Sequence, residues 1–505
     1  MSGEPTEVRP VSGVFPRLKG FFLLLAAGLS CLVVLALNGG ALYHFDSGSY
    51  VVQGISGLEQ FGFDLSSAPE NASGATSGDG TPTTSQKGNS SIHGSRSLIY
   101  AIVIAALTVL ADVDYLVVFN SFSVFLTVLL PISVCLRLYN RQIPATYAIS
   151  VPILAASMGA LPFYTAYAMP DVFAAILLIV AATFTAFVRK MRVWEILLGI
   201  ALAVFAVVSH PSHFLMAILL IPLTVIGSVM LERRRWWIAP LLVAFVATSG
   251  LVERVAFKVA VEKVADSEVF YSPYLTARLI ADGPGYAFLE ENCPDPTIQT
   301  CALYDALQLS NNPRRLTASH IAFESDPDIG SFKRMSEEDQ QRVGADQFDF
   351  FVSVMKSRPI AMTLAIFKNA FDQAQMYKIN QTIPSATMVT RVEGYPNMPP
   401  GTFVEGRLTR EQSWTNWVYY GHSALYSASL FFITVLLIWP GALPGRLRVM
   451  TLMILFGILV NALICGGLSQ PADRYGARVI WLLPFMATVL VLFRGVVSRE
   501  EGAQS

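Results

Sequence analysis

The chain has 505 residues, of which 53% are hydrophobic and only 14% are charged, and its mean hydropathy is +0.51. Soluble globular proteins carry roughly 25% charged residues, so this composition excludes an ordinary soluble enzyme and indicates a polytopic membrane protein. The net charge of -1 gives no reason to expect a nucleic-acid partner.

Apolar segments that approach the roughly 20 residues needed to cross a bilayer core recur along the chain. They lie at 18–37, 97–111, 115–136, 145–161, 172–188, 193–208, 214–231, 237–255, 417–439, 447–468 and 479–493. The first is flanked by Arg17 and Lys19 and lacks a small-residue cleavage site, so we expect a retained anchor. The pattern predicts an all-α polytopic membrane protein with ten or eleven transmembrane helices. A mixed or mainly helical extracytoplasmic domain is expected between the eighth and ninth apolar segments.

Basic residues cluster in alternate short loops, and such clusters mark the cytoplasmic side. They are Arg17/Lys19, Arg137/Arg141, Arg189/Lys190/Arg192, Arg233/Arg234/Arg235, Arg446/Arg448 and Arg494/Arg499. Placing them inside puts Asp46, Asp171, residues 210–213, 257–415 and 473–478 together outside. Residues 96–137 must then cross an odd number of times, and we expect one full crossing plus a juxtamembrane helix. The predicted location is the bacterial inner (cytoplasmic) membrane, with the active site on the periplasmic side.

This orientation divides the chain into five regions. They are a cytoplasmic N terminus (1–17), an N-terminal transmembrane region (18–256) with an outside loop (39–96), an extracytoplasmic domain (257–415), a C-terminal transmembrane region (416–496) and a cytoplasmic tail (497–505). Within the outside loop, residues 49–63 have the apolar spacing of an interfacial helix. Residues 66–94, rich in Ser, Gly and Thr, predict a flexible insert.

The extracytoplasmic domain has an ordinary soluble composition. Cys293 and Cys301 lie close enough in sequence for a disulfide if this domain faces an oxidising compartment. Residues 346–355 and 360–376 have apolar positions at helical spacing interrupted by charges, so we expect amphipathic helices next to the membrane.

Two carboxylates are the candidate catalytic residues. Asp46 follows the first apolar segment at the outer face, where an ionisable residue is a functional candidate; alternatively it is a turn or helix-cap carboxylate. Asp171 opens a later segment on the same side. The two acids could share one cavity and hold a divalent cation or divide base and orienting roles, although Asp171 could equally stabilise a helix N-terminus.

Basic and aromatic residues on the same side form the candidate substrate- and phosphate-binding set. They are His44, Arg96, His210, His213, Arg474, Tyr475 and Arg478. The paired histidines suggest a metal, yet no third ligand is evident, which favours a structural or substrate-contact role. The arginines either reach toward lipid headgroups or neutralise a bound phosphate through bidentate hydrogen bonds. No phosphate-cradling loop, nucleophile elbow, zincin motif or Cys-x-x-Cys is present, so cytosolic nucleotide chemistry is unsupported.

Three short motifs appear in order along the membrane portion. They are His-Phe-Asp-Ser-Gly-Ser-Tyr at 44–50, Met-Pro-Asp-Val-Phe at 169–173, and Asp-Arg-Tyr at 473–475 with Pro484-Phe485 in the final segment. In this layout the chain resembles the GT-C superfamily of integral membrane glycosyltransferases, in particular the bacterial relatives of protein O-mannosyltransferases and the aminoarabinose transferase acting on lipid A. The family often has Asp-Glu where this chain has Asp46-Ser47.

The resemblance implies a sugar donor carried on a polyprenyl phosphate and attacked outside the cytoplasm by an acceptor on an envelope glycan, lipid or protein. It implies Asp46 as the general base and Asp171 as a second acid of the site. Arg474, Arg478 and Arg96 would neutralise the lipid phosphate. Membrane lipids are further partners, and no cofactor is predicted beyond a possible divalent cation.

Two other functions remain open from the sequence. A transporter or flippase of a lipid-linked sugar should show inverted repeats or Gly/Pro-broken helices in matched halves, and none is evident. A non-catalytic envelope assembly protein would need neither Asp46 nor Asp171.

Overall fold

A computed structural model of the chain describes residues 14–60, 63, 91–94, 96–139, 142–232, 234–264, 268–324, 326, 331–395, 398–410 and 412–494. Outside these residues lie the predicted cytoplasmic tail, most of the predicted flexible insert and most of the predicted cytoplasmic N terminus.

The described chain is mainly helical. In chain order its helices are α1 (Val14–Asn38), α2 (Phe45–Gln60), α3 (Leu98–Leu110), α4 (Tyr115–Leu138), α5 (Ala145–Ser157), α6 (Leu161–Thr165), α7 (Val172–Phe187), α8 (Val193–Ser209), α9 (Pro211–Leu231), α10 (Ile238–Val264), α11 (Tyr274–Ala281), α12 (Pro284–Asn292), α13 (Cys301–Leu307), α14 (Ala318–Phe323), α15 (Glu337–Ala345), α16 (Gln347–Ser357), α17 (Pro359–Ala374), α18 (Ala386–Glu393), α19 (Arg407–Arg410), α20 (Trp414–Ile438), α21 (Gly445–Ala462), α22 (Asp473–Ile480) and α23 (Leu482–Phe493). A π-helical turn, Leu463–Gly467, extends α21. Two three-residue strands, β1 (Ser91–His93) and β2 (Glu268–Phe270), pair in parallel.

Every apolar segment of the sequence forms a helix, which confirms the predicted all-α membrane protein. Among the described residues, eight helices are long and apolar enough to span a membrane. They are Leu18–Asn38, Tyr115–Leu138, Val172–Lys190, Pro211–Leu231, Ile238–Lys263, Trp414–Ile438, Gly445–Gly467 and Asp473–Phe493. The remaining apolar segments give the shorter helices Leu98–Leu110, Ala145–Ser157 and Val193–Ser209.

The helix bundle has two chemically different ends. Helix α7 runs from Asp171 to the turn that contains Arg189, and α9 runs beside it from His210 to Glu232. Helix α21 starts next to Arg446 and runs in the opposite direction. At 1.5 Å per residue these helices separate the two ends by about 25 to 30 Å, close to the thickness of a bilayer core. We call them the site end, at Asp171, and the arginine end, at Arg189.

Helix α7 is the centre of the bundle. All of its residues are buried, and α4, α8, α9 and α21 pack around it. Its two hydroxyls bond back to carbonyls of the same helix, Thr183 to Ile179 and Thr185 to Ala181, so no polar group needs a partner outside it. Glycine lets α21 approach closely, since a Cβ at Gly457 would lie 2.6 Å from a methyl carbon of Leu178.

The outside loop begins with a helix that places Asp46. The predicted interfacial helix starts earlier than expected, at Phe45, and packs along α3 rather than lying alone. A Cβ at Gly54 would lie 1.9 Å from the Ala101 carbonyl oxygen, so glycine permits this close packing. Both ends of α3 are near the site end. Arg96, just before the helix, pairs with Asp46, and Asp114, just beyond it, accepts a hydrogen bond from the Ala41 N–H at 2.7 Å. The long helix α4 then leads to the arginine end.

Residues between α10 and α20 form a second apolar core outside the bundle. It includes Leu289, Leu303, Ile321, Val343 and Phe350. Cys293 and Cys301 are joined by a disulfide within it, as the sequence predicts. The two predicted amphipathic helices are α16 and α17, which meet at a bend of 114°. The outer face of α17 carries side chains that are 62 to 75% exposed, namely Ile360, Leu364, Phe367 and Phe371. Their position against a membrane stays a prediction.

Candidate functional site

Asp46 lies in the first turn of α2, at the site end. An Arg96 guanidinium nitrogen donates to Asp46 Oδ1 at 2.7 Å. The other carboxylate oxygen lies 3.5 Å from His44 Nδ1 and 4.0 Å from an Arg474 guanidinium nitrogen. The Asp46 side chain is 34% exposed, so it is accessible from solvent. The Asp46 carboxylate is therefore surrounded by basic side chains and is more than a helix cap.

Electrostatics keep Asp46 ionised and His44 neutral. Burial by itself raises the pKa of Asp46, but the hydrogen bond with His44 and the charges of Arg96 and Arg474 outweigh it and hold that pKa well below its usual range. Burial and the neighbouring Arg474 charge lower the pKa of His44. At neutral pH the group is thus an ionised carboxylate beside a neutral imidazole.

Asp171 immediately precedes α7 and is 1% exposed. Its side chain does not cap the helix; instead Oδ1 accepts from Arg478 at 3.3 Å, and Oδ2 is buried without a hydrogen-bond partner. Arg478 is 0% exposed, and it also donates to Asn461 Oδ1 at 3.0 and 2.8 Å and to the Ser212 hydroxyl at 3.1 Å. This buried pair ties α7, α9, α21 and α22 together.

The predicted phosphate role of Arg478 does not fit this geometry. All three guanidinium nitrogens of Arg478 are engaged with protein groups, and the side chain is inaccessible. A lipid phosphate could reach Arg478 only by displacing Asp171 or Asn461. We therefore assign Arg478 to positioning, because it fixes Asp171 and the helix that carries Arg474.

Arg474 and Tyr475 connect the two carboxylates. The Tyr475 ring lies between two guanidinium groups, with the carbon of Arg474 4.7 Å and that of Arg478 5.2 Å from its centroid. Arg474 also donates to the Tyr475 hydroxyl at 2.9 Å and lies 3.2 Å from His44 Nδ1. Residues four apart on α22 share a face, which lets Arg474 and Arg478 flank one ring. Asp46, Arg474, Tyr475, Arg478 and Asp171 thus form one connected network.

The end of α17 and the residues that follow it hold α22 in place. Gln381 accepts from the Arg474 backbone N–H at 3.0 Å, and Gln373 pairs with both backbone groups of Ala472. A Cβ at Gly476 would lie 1.9 Å from the Met376 carbonyl oxygen, so only glycine allows this approach. These contacts therefore set the position of Arg474.

The two histidines at the start of α9 have structural partners. His210 Nδ1 accepts from the Ser212 N–H at 3.1 Å as the helix cap, and His213 Nδ1 lies 2.8 Å from the Ala206 carbonyl oxygen. Burial, with the Arg478 charge, lowers the pKa of His210 to about 3. Across the part of the chain that the structure describes, no group of three or more His, Cys, Asp or Glu side chains could hold a metal. The possible divalent cation therefore has no evident ligand set there.

A shallow cleft opens beside Arg96 at the site end. Arg96, His210, Glu253, Arg254 and Tyr271 are among the residues that line it. The Nε atom of Arg96 is buried there without a hydrogen-bond partner. Buried polar groups are nearly always paired, so this donor is available to a ligand in the cleft.

Sequence reasoning missed Arg254 and Asn461. Arg254 lies at the end of the apolar segment 237–255, and a cation within such a segment is itself a sign of function. Its guanidinium carbon lies 5.1 Å above the Phe214 ring centroid, beside the cleft. Asn461 is an amide within an apolar segment, and the same signal could have identified it as the partner of Arg478.

Comparisons with protein-family models, with curated proteins and with solved structures find no match to this chain.

Proposed function

We propose that the protein is a membrane glycosyltransferase of the GT-C type. It moves a sugar from a polyprenyl-phosphate donor to an acceptor on an envelope glycan, lipid or protein outside the cytoplasm, with inversion at the anomeric carbon. One observation carries the proposal: Asp46, a partly exposed carboxylate, lies within 4.0 Å of two arginines and is linked through Arg474 to Asp171. A base and cations for a leaving phosphate are the groups that this reaction needs.

Asp46 is the general base in this mechanism. Its carboxylate accepts the proton of the acceptor hydroxyl as that oxygen attacks the anomeric carbon. The bond between that carbon and the phosphate oxygen breaks, and its electron pair leaves with the lipid phosphate. Asp171 is too deeply buried to meet the acceptor, so its role is to orient Arg478 and, through Tyr475, Arg474.

Arg96 couples donor binding to the base. Arg96 is bound to Asp46 and contributes to the depressed pKa of that carboxyl, which makes it a weak base. A donor phosphate that takes over part of the Arg96 guanidinium would raise the basicity of Asp46 when the sugar is in place.

The cleft beside Arg96 suits the donor phosphate. The unpartnered Arg96 Nε and the Arg254 guanidinium supply charged donors there, while Glu253 gives the cleft one opposing carboxylate. On the adjoining face of α10, Leu251, Val252 and Val255 are 53 to 65% exposed, which offers an apolar path for the polyprenyl chain. Arg474, which lies on the other side of Asp46, would stabilise the negative charge that develops on the leaving phosphate nearer the sugar.

The proposed topology has ten crossings. Helices α1, α4, α5, α7, α8, α9, α10, α20, α21 and α23 alternate between the two ends of the bundle, and α3 stays at the site end. With the arginine end in the cytoplasm, the site and residues 257–415 face the periplasm of a bacterial inner membrane.

Substitution of Asp46 by Asn tests the proposal. Transfer from a polyprenyl-phosphate sugar to envelope acceptors should fall by about 10²- to 10⁴-fold, the usual contribution of a general base. Thermal unfolding and expression should be unchanged. Asp112→Asn is the matched control, because Asp112 is an exposed carboxylate of the same outer loops and accepts a hydrogen bond from the Asp114 N–H at 2.9 Å.

Two results would remove the enzyme proposal. One is unaltered transfer by Asp46→Asn, and the other is an unchanged set of glycans and lipids, by mass spectrometry, in a strain that lacks the chain.

A transporter of lipid-linked sugars would place its site near the bilayer midplane between repeated halves. The network described above lies instead at one end of the bundle.

A further inference from the structure

A second, shallow cleft lies at the arginine end, some 25 to 30 Å from Asp171 along α7. It is formed where α7, α9, α10 and α21 meet. Its polar and aromatic lining includes Arg189, Ser228, Glu232, Arg235, Trp236 and Arg446.

The cleft carries excess positive charge. Glu232 is its one lining carboxylate, and it pairs with Arg189 and, at 2.6 Å, with Arg446. The Arg446 guanidinium is fixed further by the Ala186 carbonyl oxygen at 2.8 Å. Arg235 is exposed, and among the described residues it has no ion pair. Three guanidinium groups thus face one carboxylate, an arrangement that favours an anionic ligand.

Ser228 is an independent sign of a ligand. Its side chain is 5% exposed, it lines the cleft, and its hydroxyl has no hydrogen-bond partner. A serine in a helix ordinarily satisfies its hydroxyl on the carbonyl four residues earlier, as Thr183 and Thr185 do nearby. An unsatisfied buried hydroxyl costs free energy, and a phosphate oxygen in the cleft would accept its hydrogen bond.

Two of the helices that form the cleft also carry exposed apolar side chains on their outer faces. On α9, Ile226 and Met230 are 59 and 64% exposed, and on α10, Leu241 and Phe245 are 57 and 56% exposed. Trp236 lines the cleft and is 38% exposed, as is typical of a tryptophan at a membrane interface. A ligand that fits has an anionic head and hydrocarbon chains.

We propose that this cleft binds the phosphate headgroup of an anionic glycerophospholipid, with its acyl chains along α9 and α10. Arg235 and Arg189 hold the phosphate, and the Ser228 hydroxyl donates to it. The bound lipid joins four helices at the end opposite the candidate active site, so it stabilises the bundle. The proposal does not depend on the glycosyltransferase function.

The test uses the purified full-length chain in a mild detergent. Thermal unfolding is followed while phosphatidylglycerol, phosphatidylcholine or inorganic phosphate is added, and native mass spectrometry counts retained lipids. Phosphatidylglycerol should raise the unfolding temperature and stay bound, and the other two additions should not. Arg235→Gln and Ser228→Ala should each weaken this binding, by about fivefold for the arginine.

Arg234→Gln is the matched control, because Arg234 is an exposed arginine of the same loop that does not line the cleft. It should bind the lipid like the unaltered chain. Equal losses in Arg234→Gln and Arg235→Gln would show general attraction to charge and overturn the proposal. Stabilisation by phosphatidylcholine to the same extent, or by inorganic phosphate alone, would overturn it as well.

Discussion

Replacing Asp171 by Asn should destabilise the helix bundle strongly, because it leaves the Arg478 charge without its carboxylate. Both side chains are almost fully buried, at 1% and 0% exposure, so water cannot compensate. The other hydrogen-bond partners of Arg478, which include Asn461, Ser212 and Cys465, are neutral. Among the described residues, the variant therefore removes the one carboxylate that pairs with this buried guanidinium.

The expected loss follows from the geometry of the pair. Two unit charges 3.3 Å apart attract by about 5 kcal/mol at an effective dielectric constant of about 20. Removing one partner of a buried pair costs about 3 to 5 kcal/mol in the free energy of unfolding. Since Asn461 and Ser212 still accept from Arg478, we expect the lower half of that range for Asp171→Asn.

The assay is reversible unfolding in detergent, followed by circular dichroism, on the single variants and on Asp171→Asn combined with Arg478→Met. The double variant carries neither charge of this pair, so it should lose less stability than the sum of the single losses. Arg314→Gln is the control, since its ion pair with Glu290 is exposed and should contribute nothing measurable. Asp171→Asn with unchanged stability, or strictly additive losses, would refute the assignment of this pair as a structural link.

Three further measurements follow. Arg254→Gln should raise the apparent KM for the polyprenyl-phosphate donor by roughly tenfold with little change in kcat, whereas Arg234→Gln should change neither; a loss confined to kcat would contradict the phosphate role. The pKa of His210 is about 3 in the fold and about 6.5 in an unfolded chain, so between these pH values the unfolded state binds more protons and the free energy of unfolding should fall as pH drops. His210→Asn should reduce the dependence of that free energy on pH. The same dependence in both proteins would contradict this prediction. Replacing Cys293 and Cys301 by Ala removes the cross-link between residues eight positions apart. It should lower the free energy of unfolding of the second apolar core by about 2 to 3 kcal/mol, measured by limited proteolysis, with no change expected in the membrane helices.

The sequence was sufficient to predict the helical segments. Each segment is a local run of apolar residues, and a backbone in lipid must satisfy its hydrogen bonds within the helix, so composition over about 20 residues decides the structure. The disulfide between Cys293 and Cys301 was predictable for a similar reason, since eight residues separate them. The Asp46 and Arg474 motifs were also identified as polar residues at segment ends.

Tertiary packing decided the role of each polar residue. Arg96 and Arg478 look alike in sequence, yet Arg96 meets Asp46 beside an open cleft, while Arg478 is enclosed with Asp171. Arg254 joined the candidate phosphate site only because α10 packs beside the turn before α9. The sequence by itself determined which segments are apolar helices, because that depends on neighbouring residues. Only the folded bundle decided which charges meet and which remain accessible, because these contacts join residues that are tens to hundreds of positions apart.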